Sequence, residues 1–289
     1  MTTIFATIIA SFIALGSPLI AEPEASPAVE EHSTDQSQSE APYANARELL
    51  NALSTHDQST DSLVGKIRFT TIKALENDRQ QRFGDLAIQR QADGNRHYAV
   101  SFKKLLIDDR QETIAEHFIF DGHWLVERKP EEKQFNKHEL VPAGETLDPM
   151  ELMRDAPFWV SVGHDQERLL ASYDAELLPS TQGLLKNEDF PELEYLAAMP
   201  HIEGAVQLML TPKPGSGFED DWEWVRIWIN PETLNPALYI KAEWTGDLQI
   251  VELFGVKSNT DIPSSIFDTT SPDPRDGWNV QISNWRGKE

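Results

Sequence analysis

Cysteine is absent from the 289-residue sequence. Disulfides and thiol nucleophiles are therefore excluded, and so is a lipid anchor attached to a cysteine of this chain. Without such covalent links the fold must be stabilised by an apolar core. A chain of this length can bury one, either as one large domain or as two small ones.

Positive charge is also scarce, because 25 Lys and Arg face 48 Asp and Glu, which gives a formal net charge of −23. Such a chain repels nucleic acid and anionic lipid headgroups. Binding partners are therefore expected to be apolar, neutral or basic. The simpler alternative is that the acidity serves only solubility.

Long apolar runs are limited to Ile4–Leu15, which is shorter than the about 20 residues that a membrane-spanning helix needs. Gly16, Pro18 and Ala21 follow it, as is typical of a secretory signal and its cleavage region. The first three residues contain no Lys or Arg, so an uncleaved anchor stays an alternative. We expect residues 1–21 to be a signal peptide and the rest of the chain to be exported.

The region after the expected signal is strongly polar. Residues 22–42 contain six acidic side chains and no Lys or Arg, and they are rich in Ser, Pro and Gln. This composition indicates a disordered acidic linker. Residues 43–289 are predicted to form the folded domain.

Catalytic and cofactor motifs are missing as well. The sequence has no H-E-x-x-H, phosphate-binding loop or dinucleotide fingerprint, and Gly215–Gly217 falls short of G-x-S-x-G. His117 and His123 lack a third ligand at a recognisable spacing, so hydrogen-bonded or solvated histidines are expected there. The acidic pairs Asp108–Asp109 and Asp220–Asp221 fall in predicted loops, where carboxylates are usually solvated. We predict a protein that is not an enzyme and uses no cofactor or metal.

Short segments rich in β-branched and aromatic residues predict most of the secondary structure. A short helix, Ala44–Leu53, is followed by six strands that are separated by turn signals. The strands are Leu63–Ile72, Arg82–Arg90, Arg96–Lys103, Thr113–Phe120, His123–Arg128 and Lys133–Leu140. This spacing is typical of an antiparallel meander.

The middle of the chain changes to a helical pattern. Leu147–Phe158, with Asp148 as N-cap and Pro149 at the first helical position, and Asp165–Leu178 are the predicted helices. Four strands then form a second meander: Gly204–Thr211, Trp222–Ile229, Ala237–Trp244 and Leu248–Val256. The predicted fold is α+β, with one open, strongly curved antiparallel sheet, an incomplete barrel, and helices packed in its concave side.

Alternation along the strands assigns one face of this sheet as apolar. Nine side chains are expected on it: Ile67, Phe69, Leu86, Ile88, Tyr98, Val100, Phe102, Phe118 and Phe120. Their neighbours on the opposite face are largely polar, as at Lys66, Asp85 and His97. Two interpretations are open, because the helices can fill this face as an ordinary core or the face can bind an apolar ligand.

The strand near Trp222 is apolar on both faces. Trp222, Trp224 and Trp228 alternate there with valine and isoleucine. Exposed tryptophans would suggest a platform for a partner or a sugar, but burial under the Pro212–Gly217 loop or a helix is the expected outcome.

Three motifs occur in order between about residues 49 and 276. They are Gly84–Arg90 (GDLAIQR), the hairpin Asp121–Gln134 and the closing segment Asn259–Pro272 with Phe267. They resemble the strand G-x-L-x-V/I-x-R, the hairpin D-G-x-x-L-x-x-x-x-P-x-x-x-Q and the Phe-then-Pro ending of the periplasmic lipoprotein-carrier family, the LolA-like proteins with their relatives LolB and RseB.

This resemblance implies a monomeric periplasmic carrier. Its apolar concave face would receive the acyl chains of a lipoprotein or another lipid bound for the outer membrane, with transport partners at the inner and outer membranes. The family's strand arginine latches a helical lid, and Arg90 is the matching position. Gln91 replaces the family's proline, and Trp124 departs from its aromatic pattern. A sensor or scaffold of similar fold that binds a protein partner is the alternative.

Overall fold

A single sheet dominates the structure. The computed structural model describes residues 42–92, 94–108, 110–142, 145 and 166–285, which all belong to one unit, Glu40–Glu289. The strands are β1 (Ser62–Lys73), β2 (Asp78–Arg90), β3 (Arg96–Ile107), β4 (Arg110–Phe120), β5 (Trp124–Lys129), β6 (Gln134–Glu139), β7 (Tyr173–Leu178), β8 (Val206–Pro212), β9 (Trp224–Ile229), β10 (Pro236–Ala242), β11 (Leu248–Ser258) and β12 (Asn279–Ser283). The α-helices are α1 (Ala46–Gln58), α2 (Gln166–Ser172) and α3 (Glu194–Ala197), and 3₁₀ turns cover Pro191–Leu193, Ser264–Phe267 and Pro274–Asp276. None of the α-helices in these ranges is long and apolar enough to cross a membrane.

The strand order confirms the predicted open sheet. It runs β12-β6-β5-β4-β3-β2-β1-β11-β10-β9-β8-β7, with β12 and β7 at the two edges. Pairing of β1 with β11, in which Phe69 lies opposite Val251, joins the two predicted meanders. All neighbours are antiparallel except β12, which runs parallel to β6. The sheet is therefore a mostly antiparallel, open and curved α+β structure, as the sequence predicts.

One face of the sheet, called the inner face here, carries a continuous apolar cluster that reaches from β1–β4 to β8–β11. The helices α1 and α2 pack on this face through Leu49, Leu50 and Leu169, each no more than 1% exposed. The predicted arrangement of helices against the apolar side of the sheet is thus present. Helix α1, which precedes the first strand, contributes Ala46, Leu49, Leu50 and Leu53 to this cluster.

The opposite, outer face carries two separate apolar clusters. The first lies on β9–β11 and packs under residues 179–205, the 179–205 cover, which contributes Leu184, Phe190 and Leu193. The second lies on β2–β6 and packs under residues 259–285, the 259–285 cover, which contributes Phe267. Each half of the outer face is therefore covered by a connecting or closing segment of the chain. The 179–205 cover follows the predicted helical region, and the 259–285 cover follows the second meander.

The helix predicted over Asp165–Leu178 is wrong in its second half. The helix α2 ends at Ser172, and Tyr173–Leu178 forms the edge strand β7, which pairs with β8. Tyr173, Ala175 and Leu177 all belong to the inner cluster or pack against it. Apolar contacts at every second residue are typical of a strand, which is what this stretch forms. The predicted signal peptide, nearly all of the linker, and the helix Leu147–Phe158 lie outside the described residues.

Candidate functional site

The nine residues predicted for the apolar face lie together on the inner face. Eight are buried, each at most 7% exposed, and Phe118 is half-buried at the margin of the cluster. The aromatic rings make direct contact: Phe69 and Phe102 have centroids 6.2 Å apart, and Phe102 and Phe118 meet edge to face at 6.1 Å. The residues therefore form one apolar surface. Whether that surface binds a ligand stays a prediction.

Helix α1 forms because its sequence is capped and amphipathic. Asn45 is the N-cap, and its side chain accepts a hydrogen bond from the backbone N–H of Glu48 at 3.0 Å. Ala46, Leu49, Leu50 and Leu53 follow at helical spacing and are all buried against the inner face. The helix thus presents one aliphatic stripe to the sheet.

Two arginines hold the C-terminal end of α1. Arg90 donates to the backbone oxygen of Asp57, and Arg96 donates to the same oxygen at 3.0 Å and to Asp57 Oδ1 at 2.8 Å. Arg96 also reaches Thr60 O at 3.3 Å. The last carbonyls of a helix lack intrahelical donors and carry partial negative charge, so guanidinium groups stabilise this end.

Arg90 was predicted from the family resemblance to contact the helical lid. It does lie beside a helix, α1, which precedes the first strand, while the predicted helix Leu147–Phe158 lies outside the described residues. Its role as a latch stays a prediction. Sequence reasoning missed Arg96, which lies directly opposite Arg90 in the β2–β3 pair and has only 8% of its side chain exposed. An arginine at each end of one predicted hairpin turn was the available signal.

The other end of the inner face is charged. Arg82 lies opposite Phe69 in the β1–β2 pair, and its Nε donates to Glu116 at 3.2 Å. Lys129 lies 3.1 Å from Glu127, which also accepts from Asn136 at 3.1 Å. Burial alone would raise the pKa of Glu127, but the hydrogen bonds from Asn136 and Lys129 outweigh it and hold that pKa below its usual value. The inner face is thus apolar under α1 and has paired charges beyond it.

The tryptophans near β9 are buried, as expected. Trp222 is 1% exposed and stacks on Phe218 at 5.5 Å within the inner cluster. Trp224 and Trp228 lie on the outer face under the 179–205 cover, where Trp228 Nε1 donates to Ser180 O at 2.6 Å. A tryptophan platform for a partner is therefore excluded at these three positions.

The two histidines of the hairpin region have hydrogen-bond partners, as expected. His117 Nδ1 lies 2.9 Å from Ser101 Oγ, and His123 Nε2 lies 2.9 Å from Glu139 Oε1. Burial, with Arg128 and Lys103 nearby, lowers the pKa of His117. In the part of the chain that the structure describes, no group of three or more His, Asp or Glu side chains is arranged to hold a metal ion.

The two remaining motifs of the resemblance are structural. Asp121 accepts hydrogen bonds from His123 N at 3.1 Å and Trp124 N at 2.7 Å, and Gly122 has a φ of 91°, so this pair makes the turn between β4 and β5. The other carboxylate oxygen of Asp121 accepts from Thr269 of the 259–285 cover at 2.8 Å. The hairpin and the closing segment therefore fix each other.

Solved structures with similar folds come from several bacteria. They include an uncharacterized conserved protein from Thermus thermophilus (11% identity, TM-score 0.43, 83% of this chain and 99% of that one). The complex of MucA with MucB from Pseudomonas aeruginosa (15%, 0.39, 77% and 60%) and a LolA superfamily protein from Nitrosomonas europaea (13%, 0.31, 78% and 98%) are others. This chain thus spans about 60% of the matched chain of the MucA–MucB complex. No protein-family model and no curated protein matches the sequence.

Proposed function

We propose that this protein binds the acyl chain of a lipoprotein, or another lipid, between the inner face and α1, and carries it through the periplasm toward the outer membrane. One observation supports this most. The predicted apolar residues form a single surface on which the helix α1 packs, and two arginines hold the end of that helix. In this proposal the protein acts by reversible binding and performs no catalysis.

A lipid chain can compete with α1 in energetic terms. A chain of about 14 methylenes gains on the order of 11 kcal/mol on leaving water, at about 0.8 kcal/mol for each methylene. Displacing α1 would expose Leu49, Leu50 and Leu53. At about 1.5–3 kcal/mol for each leucine, this exposure costs roughly 5–9 kcal/mol. The difference remains favourable before the ordering of the ligand is counted.

Release follows from the same competition. An acyl chain is nearly as stable in an acceptor membrane as on the inner face, so its transfer between the two is close to balanced. Return of α1 to the inner face then favours the empty protein, since the helix and the ligand occupy the same surface. The hydrogen bonds from Arg90 and Arg96 set part of that preference, which agrees with the latch role proposed for Arg90.

Titration with a fluorescent fatty acid tests binding on the inner face. Phe118 is half-buried at the margin of the cluster, so Phe118→Asp adds a charge to the proposed path with less strain than at a fully buried position. We expect this variant to lose at least about tenfold in affinity, since an unpaired charge beside an alkyl chain is costly. The fully buried variants Phe69→Asp and Val100→Asp should lose binding as well.

The adjacent residue provides the matched control. His117 is also half-buried but lies on the outer face, near Arg128 and Lys103, so His117→Asp places the same charge one residue away on the other side of the sheet. It should bind the fatty acid as the unmodified protein does. Equal binding by both folded variants, or no binding by the unmodified protein, would contradict the proposal.

Native mass spectrometry of the protein purified from its own periplasm separates the carrier from the alternative. A lipid or lipoprotein that co-purifies supports carriage. A stoichiometric protein partner without lipid supports the sensor or scaffold, in which the inner face is only a core.

A further inference from the structure

Two adjacent turns at one end of the sheet expose large apolar side chains. Leu75, in the turn between β1 and β2, is 88% exposed, and Trp244, in the turn between β10 and β11, is 64% exposed. Asp247 joins the turns, because it accepts from Ala74 N at 3.0 Å and from Lys73 Nζ at 2.5 Å. The two turns therefore form one fixed surface.

A third loop fixes the orientation of Trp244. Its indole N–H donates to the backbone oxygen of Glu219 at 2.7 Å. The Glu219 carboxylate in turn accepts from Gly215 N and Gly217 N, both at 2.7 Å. Backbone hydrogen bonds from its own N–H and from Gly215 keep the pKa of Glu219 below its usual value. The indole thus has its hydrogen bond satisfied within the protein, while most of its ring faces solvent in a set position.

The three segments that meet at these turns are rich in acidic side chains. Residues 73–78, 219–223 and 243–247, which we call the turn tip, contain eight carboxylates and one basic side chain. The carboxylates are Glu76, Asp78, Glu219, Asp220, Asp221, Glu223, Glu243 and Asp247. The basic side chain, Lys73, is already paired with Asp247. The turn tip is therefore an apolar pair within a strongly negative surface.

We propose that the turn tip is a docking site for a basic protein segment that also carries apolar side chains. An exposed tryptophan held in place loses little freedom on binding, which is typical of residues that contribute most to an interface. The surrounding carboxylates attract a basic partner and repel anionic lipid headgroups, so charge complementarity favours a protein over a membrane surface. The exposed side chains of this site, Leu75 and Trp244, are not part of the inner cluster, and the site does not depend on lipid carriage.

Binding of a defined peptide tests the site. The probe is a synthetic amphipathic peptide of leucine and lysine, added to the ¹⁵N-labelled protein. We expect chemical-shift changes to concentrate in the turn tip, including the indole resonance of Trp244. A leucine–glutamate peptide and a serine–lysine peptide should both bind much more weakly, because each lacks one of the two required properties.

Matched serine substitutions test whether Leu75 contributes to peptide binding. Leu75→Ser should weaken peptide binding about tenfold, the effect of leaving one leucine side chain in water. Leu185, 48% exposed in the 179–205 cover, provides the control, and Leu185→Ser should change binding less than about twofold. Because both leucines are exposed, neither change should disturb folding.

Three outcomes would overturn the proposal. Shift changes centred elsewhere would do so, as would equal weakening by Leu75→Ser and Leu185→Ser. The third is Leu75-dependent sedimentation with phosphatidylcholine vesicles in place of peptide binding, which would assign the turn tip to a membrane surface.

Discussion

The two faces of the sheet are covered in different ways. On the outer face, the 179–205 and 259–285 covers follow the sheet and make hydrogen bonds at several points along their length, such as Trp228 to Ser180 and Lys137 to Thr269 at 3.1 Å. The 259–285 cover even adds a strand, β12, to the sheet. On the inner face, by contrast, α1 packs mainly through one aliphatic stripe, and its polar contacts with the sheet lie at its C-terminal end.

This difference shows that buried apolar surface does not have a single meaning. Removal of an outer cover would break side-chain hydrogen bonds to the sheet and, for the 259–285 cover, also the pairing of β12 with β6, so the outer clusters serve stability. Removal of α1 would mainly expose an aliphatic stripe and the apolar surface beneath it, which a lipid chain could cover again.

Truncation under an outer cover should have the largest effect. Trp228 is fully buried and donates to Ser180 O, so Trp228→Ala should lower the free energy of unfolding by about 3–5 kcal/mol. Urea denaturation measures this loss. The control is Trp244→Ala at the exposed turn, expected to cost about 1 kcal/mol or less. Similar losses in the two variants would contradict the view that the outer cover stabilises the fold.

Release of α1 should have an intermediate effect. Arg96→Gln removes charged hydrogen bonds to Asp57 and should cost about 1–3 kcal/mol in unfolding free energy. Hydrogen exchange of the α1 amides should accelerate while that of β11 stays slow, and fatty-acid affinity should rise because the competing helix is weakened. Arg90→Leu should retain the fold. Like Arg96→Gln, it should favour the bound state and so slow the release of the ligand.

The exposed Lys66→Gln, which removes a pair with Asp85 at the surface, is the control for Arg96. It should change stability by no more than about 1 kcal/mol. If the α1 amides exchange equally fast in the Arg96 variant and the unmodified protein, the arginines do not hold the helix.

Mild acid should have the smallest effect, through two half-buried histidines of the outer face. Burial is the main cause that lowers the pKa of both His117 and His201 from the ordinary value of 6.5. Below about pH 6.5 the unfolded chain therefore binds more protons at these positions than the folded chain. The part of the unfolding free energy that depends on their neutral forms is complete above about pH 6.5. It is lost as the pH falls from there through their lowered pKa values. Urea midpoints between about pH 7.5 and 5.5 should decrease, and the double variant His117→Gln with His201→Gln should decrease less steeply.

Much of the candidate site was predictable because it rests on alternation within hairpins. Successive side chains of a strand point to opposite faces of the sheet, so alternate residues share a face. This alternation, applied to each strand, places Phe69, Phe102 and Phe118 on the same face. The predicted hairpin places Arg96 opposite Arg90, but its contact with Asp57 depends on the position of α1, which the sequence does not show. The strand β7 was missed because its apolar pattern is ambiguous. Leu169, Tyr173 and Leu177 are spaced by four, as in a helix, while Tyr173 and Leu177 also fit the alternation of a strand.

By itself, the sequence determined the strands of the two predicted meanders, most of the turns between them, and the polarity of each face in the hairpins of the first meander. These features depend on residues close together in the chain. The tertiary structure alone decided that β1 pairs with β11, that α1 covers the inner face, and that two later segments cover the outer face. It also placed Leu75 beside the turn of Trp244, through the contacts of Asp247 with residues more than 170 positions away. Local periodicity carries no information about such distant partners, which are selected only when the whole chain buries its apolar surface and satisfies its backbone hydrogen bonds together.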